Sequence, residues 1–180
     1  MTVLVTGGSG SGKSLLAEEI SFQLKRNPFF YLATMQIWDE ECRKRITRHR
    51  EQRSGKGFQT LETPMRLAEA AKMLTPGGTA LLDCISNLTA NEQFDAAAPD
   101  PVQAVVDGVL AVQKRLTHLV IVTNEVCSDI PPEDVSMQAY LQNIGRINCA
   151  LAKAADVVIE VCSGIPIFWK GEEQYHEILV

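Results

Sequence analysis

Apolar and polar positions along this chain alternate between two periods. Thr2–Thr6 is a short apolar run ending in glycines, the mark of a buried strand. From Lys13 to Arg26, Leu16, Ile20 and Leu24 recur every four positions and predict a helix with one apolar face, stopped by Asn27-Pro28. Phe29–Thr34 predicts a second strand. Asp39–Arg53 is highly charged, yet Trp38, Cys42, Ile46 and His49 fall on one helical face. Ser54–Gly57 is a loop. Pro64–Leu74 predicts a short helix closed by Pro76-Gly77-Gly78, and Thr79–Cys84 a third strand, apolar up to Asp83. Asn91–Pro101 is polar and proline-bearing, an exposed connection. Pro101–Leu116 predicts a helix with proline at its favoured first position, and His118–Asn124 a fourth strand. Cys127–Glu133 is a loop. Val135–Ala155 is the longest helix, with Met137, Tyr140, Leu141, Ile144, Ile147 and Leu151 marking its buried side. Asp156–Val161 and Ile165–Lys170 flank Ser163-Gly164 as a closing hairpin.

Continuous apolar strands that alternate with helices imply an α/β fold: a mostly parallel sheet with helices on both faces and an antiparallel edge hairpin. At 180 residues, 46% hydrophobic and 22% charged, the chain reads as one domain spanning 1–180, large enough for a full core without staples. No apolar run reaches the roughly 18 residues of a membrane helix, so stable membrane insertion is not expected. A net charge of −5 argues against a nucleic-acid binder. Five cysteines with no CxxC pair read as reduced, mostly buried thiols in a cytoplasmic protein rather than a zinc ribbon.

Chemistry enters at Gly7-Gly8-Ser9-Gly10-Ser11-Gly12-Lys13-Ser14. This fits G-x-x-x-x-G-K-[ST] between a predicted strand and a predicted helix, the context that the pattern requires. Its glycines let the backbone turn its N–H groups inward on phosphate oxygens, and the helix N-terminus adds positive potential. Lys13 would reach the β- and γ-phosphates, and the Ser14 hydroxyl would ligate Mg²⁺. Asp83 ends a strand at the sheet edge where a second carboxylate belongs; it would hold the metal through water or take a proton from a substrate hydroxyl. Asn124 and Glu125 end the fourth strand at the same edge, where they either contact substrate or cap a loop.

His49 is the unusual residue. It lies within Arg43-Lys44-Arg45-Ile46-Thr47-Arg48-His49-Arg50, a block with five basic side chains and no acid in an otherwise acidic chain. Such a block suits an anionic partner. An imidazole kept neutral by neighbouring cations is a candidate nucleophile for a phosphorus centre, with phosphate binding or a structural role as the alternatives. His118 and His176 read as structural or solvated.

These segments resemble a known family. Val3-Leu4-Val5-Thr6-Gly7-Gly8, Ser11-Gly12-Lys13-Ser14, Tyr31-Leu32-Ala33-Thr34 and Arg45-Ile46-x-x-His49-Arg50 look like the bifunctional adenosylcobinamide kinase/adenosylcobinamide-phosphate guanylyltransferases of cobalamin biosynthesis. Leu81-Leu82-Asp83-Cys84, Val122-Thr123-Asn124-Glu125-Val126, Gly145-Arg146-x-Asn148 and Val161-x-Ser163-Gly164-Ile165-Pro166 extend the likeness over nearly the whole chain. The resemblance implies a RecA-like P-loop fold, a homotrimer, and two reactions. In the first, ATP or GTP phosphorylates adenosylcobinamide. In the second, GTP gives GMP to a histidine, which passes it to the phosphorylated cobinamide. The histidine falls on His49, and the nucleotide contacts fall on the phosphate loop, on Thr34, Met35, Gln36 and Ile37, on Arg50, Glu51, Gln52 and Arg53, and on Glu62 and Asp83. Ser9-Gly10 departs from the family, where an arginine is common in the loop. Two other classes fit the phosphate loop alone: a small-molecule kinase without a covalent step, and a nucleotide-dependent regulatory switch.

Overall fold

The structure is a computed structural model, and it describes residues 1–36, Glu40, Thr47, 55–126 and 132–179. Of the helix expected over 39–53, Glu40 and Thr47 are described and are helical, while Trp38, Cys42, Ile46 and His49 lie outside the described residues.

Element order follows the alternating pattern. β1 (Thr2–Thr6) leads to α1 (Lys13–Gln23), β2 (Phe29–Ala33), β3 (Gln59–Glu62), α2 (Leu67–Met73) and β4 (Thr79–Asp83). α3 (Ile85–Ala90) continues directly into a π-helical turn, Asn91–Asp95. Then come α4 (Pro101–Arg115), β5 (His118–Val122), α5 (Val135–Ala154), β6 (Val157–Cys162), β7 (Ile165–Lys170) and α6 (Glu172–Leu179). Asp100 caps α4 by accepting the Gln103 N–H at 3.0 Å, and Asp134 caps α5 by accepting the Met137 N–H at 2.9 Å.

Among the described residues the strands form one seven-stranded sheet in the order β3-β2-β4-β5-β1-β6-β7. All neighbours are parallel except β6 and β7, the edge hairpin that the sequence predicts. This order is the one that the resemblance to a RecA-like P-loop fold implies, with β5 between the strand that enters the glycine-rich loop and the strand that ends in Asp83.

Alternate side chains enter two cores, because strand side chains point to opposite faces with a period of two. Val3, Val5, Tyr31, Leu81, Val120, Val122 and Ile159 lie on one face, under α1, with Phe168 and Tyr175 of the chain's end packed against them. Leu4, Phe30, Leu32, Leu82, Leu119 and Ile121 lie on the other, under α2, α3, α4 and α5. Gly108 lets α4 meet α2 closely: a Cβ there would stand 2.9 Å from Leu67 Cβ.

Three expectations are corrected. The Asn91–Pro101 segment is not simply an exposed connection. It opens with the π-helical turn, where Asn91 and Glu92 are buried. Their polar groups are satisfied by neighbouring backbone: the Asn91 amide donates to Thr34 O and Pro64 O at 2.8 and 2.7 Å, and Glu92 accepts the Arg66 N–H. The buried side of α5 is shorter than its periodicity suggests. Ile144, Ile147 and Leu151 are buried, but Met137 is 41% exposed, because only the second half of the helix sits over the core. Of the described cysteines Cys84 is buried, whereas Cys149 and Cys162 are exposed, one off the inner face of α5 and one at the end of β6. Two elements also go beyond the pattern. β3 is an exposed edge strand with no apolar run, and α6 is anchored by Tyr175 and His176 rings 4.9 and 5.7 Å from Phe168.

Candidate functional site

The site begins with a run of small residues that no side chain could replace at two points. Gly7 has φ +152°, and a Cβ there would meet Val161 O at 2.5 Å and Ser11 Oγ at 2.7 Å. Gly12 has φ +95°, a left-handed conformation at the entry to α1. The loop is braced from two sides: Gly164 of the β6–β7 turn donates to Ser11 O at 2.9 Å, and Glu125 donates its N–H to Gly7 O at 3.1 Å. The loop also folds on itself, with the Ser11 N–H 3.2 Å from Gly8 O. Lys13 is buried at 8% exposure, and its ammonium donates to Gly8 O at 3.0 Å. A buried ammonium held inside a glycine-rich turn is a ready seat for phosphate oxygens. Gly8, Ser9, Gly10 and Gly12 are exposed and Ser14 is half-buried in the first turn of α1, so the loop is open to solvent.

The carboxyl edge of the sheet brings the other residues level with it. Ala33 of β2 pairs with Glu62 of β3 on one side and Asp83 of β4 on the other, and Asp83 pairs with Val122. Asp83 follows Leu82, whose side chain enters the far core, so alternation directs Asp83 to the face of Tyr31, Leu81 and α1. Tyr31 Oη donates to Asp83 Oδ2 at 2.7 Å and holds the carboxylate in place. Tyr31 was absent from the expected site residues. It is placed by an aromatic stack: Phe58 packs edge-on to Tyr31 at 5.8 Å and stacks on Phe29 at 4.0 Å.

Thr34 ties the next turn together. Its hydroxyl accepts the Cys84 N–H at 2.7 Å and donates to Cys84 O at 2.8 Å, and its own N–H reaches Asp83 O at 3.2 Å. The Cys84 thiol is pushed up to about 11, first by burial and then by the Asp83 carboxylate, with the Lys13 ammonium opposing. Cys84 Sγ lies 3.1 Å from Ser86 Oγ, which accepts from the Asn124 amide at 2.6 Å. Asn124 therefore joins β5 to the start of α3 across this edge, and Glu125 joins it to the phosphate loop.

The structure thus assembles Gly7, Gly8, Ser9, Gly10, Ser11, Gly12, Lys13, Ser14, Thr34 and Asp83 at one edge. Met35 and Gln36 follow Thr34 as half-buried residues, with the Gln36 amide 3.4 Å from Asp95 Oδ2. Glu62 is level with Asp83 but two strands away, on the exposed edge strand. Ile37, His49, Arg50, Glu51, Gln52 and Arg53 lie outside the described residues. Asn91 and Ser86, which hold the Thr34–Cys84 turn, carry no sequence motif, and only their burial reveals them.

The donor set suits Mg²⁺. The Ser14 hydroxyl and the Asp83 carboxylate are hard oxygen ligands, and Mg²⁺ takes one or two such groups beside substrate phosphates. No cluster of three or more His, Cys, Asp or Glu side chains suited to a metal occurs among the described residues. Ser11 Oγ is buried against Gly7 with no hydrogen-bond partner among the described residues.

Comparisons with known proteins follow this geometry. Residues 3–168 match the model of the family described as "Cobinamide kinase / cobinamide phosphate guanyltransferase". The chain is 35% identical over 184 residues to the "Bifunctional adenosylcobalamin biosynthesis protein CobU" of Salmonella typhimurium, covering 93% of this chain and 98% of that protein. It is 33% identical over 181 residues to the protein of the same name from Escherichia coli K12, with the same two coverages. Among solved structures, the flagellar accessory protein FlaH of Methanocaldococcus jannaschii is similar at 14% identity and a TM-score of 0.47, covering 94% of this chain and 77% of that one.

Proposed function

The chain belongs to the cobinamide kinase / cobinamide phosphate guanyltransferase family, and from that premise we propose that both of its reactions use the one nucleotide seat at the carboxyl edge of the sheet. The enzyme is a bifunctional transferase of cobalamin biosynthesis. The observation that carries the shared seat is that Lys13, in its glycine-rich turn after β1, and Asp83, held by Tyr31 at the end of β4, stand at the same carboxyl edge of one parallel sheet.

In the kinase step ATP or GTP lies with its phosphates in the loop formed by Gly7 to Ser14. The hydroxyl oxygen of adenosylcobinamide attacks the γ-phosphorus, the bond to the bridging β–γ oxygen breaks, and the nucleoside diphosphate leaves. The hydroxyl proton passes to water. Loop N–H groups and the Lys13 ammonium offset the charge that spreads over the phosphate oxygens, once the ammonium exchanges Gly8 O for a phosphate oxygen. Ser14 and Asp83 would hold Mg²⁺, which when bound neutralises phosphate charge and aligns the chain of phosphates.

In the guanylyl step GTP binds in the same loop. A nitrogen of the His49 imidazole attacks the α-phosphorus, the bond to the bridging α–β oxygen breaks, and pyrophosphate leaves. A phosphate oxygen of the phosphorylated cobinamide then attacks the same phosphorus, the N–P bond breaks, and adenosylcobinamide-GDP is released. Splitting the transfer in two suits a protein that must bring a nucleotide and a large acceptor to one phosphorus. Support for His49 comes from the family match and from the basic block around it, whose arginines suit an anionic leaving group. The segments Thr34–Ile37 and Arg50–Arg53 and Glu62 complete the guanine-nucleotide contacts in this reading.

The same reading makes the chain a single domain over 1–180, cytoplasmic and homotrimeric. The one continuous sheet supports the first. No described helix is long and apolar enough to cross a membrane. Ile165, Ile167 and Trp169, exposed at 65%, 40% and 69% on edge strand β7, are apolar surface of the kind that subunit contacts cover.

Mass spectrometry after incubation with GTP tests the covalent step. One added GMP on the peptide that contains His49 is expected. His49→Ala should lose that adduct and all formation of adenosylcobinamide-GDP while still phosphorylating adenosylcobinamide. Guanylyl transfer that survives in this variant would remove the histidine from the mechanism.

A further inference from the structure

The nucleotide seat occupies one side of the carboxyl edge, the α1 side. The other side of the same edge carries a patch that the reactions above leave unused. It is formed by the π-helical turn Asn91–Asp95 and the first turns of α5. Phe94 is 48% exposed and Met137 41% exposed, and neither belongs to either core. The Phe94 ring lies 6.2 Å from the ring of Tyr140, which is one helical turn from Met137 and on the same face of α5. Around these apolar groups stand fixed carboxamides. The Gln93 amide donates to Ser136 O at 3.3 Å and its carbonyl accepts from the Asn143 amide at 3.0 Å, so the turn and the helix hold each other.

This surface is continuous with the reacting centre. Tyr140 Oη donates to Ser86 O at 3.2 Å, and Ser86 Oγ is the group shared by Asn124 and the Cys84 thiol next to Asp83. A π-helical turn adds a residue to the helical circuit and is seen often where function needs a side chain re-aimed. Here the turn buries Asn91 and Glu92 and leaves Phe94 outward.

We propose that this patch seats the corrin ring of the acceptor, and the assignment rests on the bifunctional reading above. Two chemical demands lead to it. In-line transfer needs the nucleophile opposite the leaving oxygen, so the acceptor must approach the terminal phosphate from the side away from the nucleotide. That side is the far half of this edge. The acceptor is also a broad macrocycle with an apolar face and a rim of carboxamides, and it presents its reacting hydroxyl on a flexible arm. An aromatic and thioether floor bordered by Gln93 and Asn143 matches such a ligand: apolar contact under the ring, amide-to-amide hydrogen bonds at the rim. The arm then crosses the edge past Ser86 and Asn124 to the phosphate.

Steady-state kinase kinetics of Phe94→Ala and Met137→Glu, with adenosylcobinamide and ATP as the varied substrates, test the assignment. Each variant should raise KM for adenosylcobinamide by about tenfold, the effect of one buried apolar side chain, and leave KM for ATP unchanged. Labelling of the protein by GTP alone, which needs no corrinoid, should stay at the wild-type rate and shows that the variants are folded. Met73→Ala, an exposed apolar residue at the opposite edge of the sheet, should change neither constant. An unchanged KM for adenosylcobinamide in both variants would overturn the assignment and leave the bifunctional reading standing. A wild-type protein that turns over no adenosylcobinamide would remove both.

Discussion

A lysine buried at 8% exposure is the residue on which the chemistry turns. Its ammonium is held by the carbonyl of Gly8, a bond a phosphate oxygen can replace without moving the side chain far. Lys13→Ala should therefore lose both activities together, with kcat/KM for the triphosphate down by about 100-fold or more in each assay. Kinase turnover retained in this variant would contradict the assignment of the loop. Cys84 behaves oppositely to a reactive thiol. Burial and the Asp83 carboxylate hold it protonated, up to about 11, so at pH 8 it should resist alkylation by iodoacetamide in the folded protein. Cys149 and Cys162 are exposed and should react first, and peptide mapping before and after denaturation reads the difference. The glycine-rich motif and the lysine were legible in the sequence because their spacing is set by local backbone geometry. Tyr31 as the partner of Asp83 was not, because the two lie 52 positions apart and meet only across paired strands.

At the level of elements, the sheet is legible wherever a strand is buried on both faces. β1, β2, β4 and β5 appear as continuous apolar runs because helices cover them twice. β3 has an exposed, polar pattern, since an edge strand needs only one neighbour, and nothing in its hydropathy marks it. The helix pair α2 and α4 depends on a missing side chain. Gly108→Ala places a Cβ 2.9 Å from Leu67 Cβ, so overpacking should outweigh the gain in helix propensity. A loss of about 1–3 kcal/mol is expected, read as a fall of several degrees in Tm, with Leu67→Ala in the same background recovering part of it. An unchanged Tm would show that the two helices are free to move apart.

Over the whole molecule, distant parts of the chain close on one another at the amino edge as well. The N-terminal ammonium lies 3.3 Å from His118 Nδ1 at the start of β5, and the His118 imidazole is held below its ordinary value by burial, by that ammonium and by Arg26. The folded state therefore favours the neutral ring. The unfolded chain takes up a proton near the ordinary value of about 6.5, and the folded state only at lower pH. Stability linked to this group is complete above about pH 6.5 and is lost as pH falls through the folded value. Thermal melts between about pH 5 and 7.5 should show a falling Tm on the acid side, and His118→Asn should flatten that slope. An identical slope in the variant would assign the acid sensitivity to other groups.

Local chemistry was settled by the order of residues alone. The turn from β1 into α1 needs glycine at position 12, where φ is +95°, and strands buried on both faces need unbroken apolar runs. Such constraints act between near neighbours and so leave a periodic trace. The pairing of β2 with both β3 and β4, the meeting of Asp83 with Tyr31, and the outward turn of Phe94 beside α5 were decided only by the folded chain. Each depends on which segments lie side by side, and the free energy of that choice is spread over two cores rather than written in any one stretch.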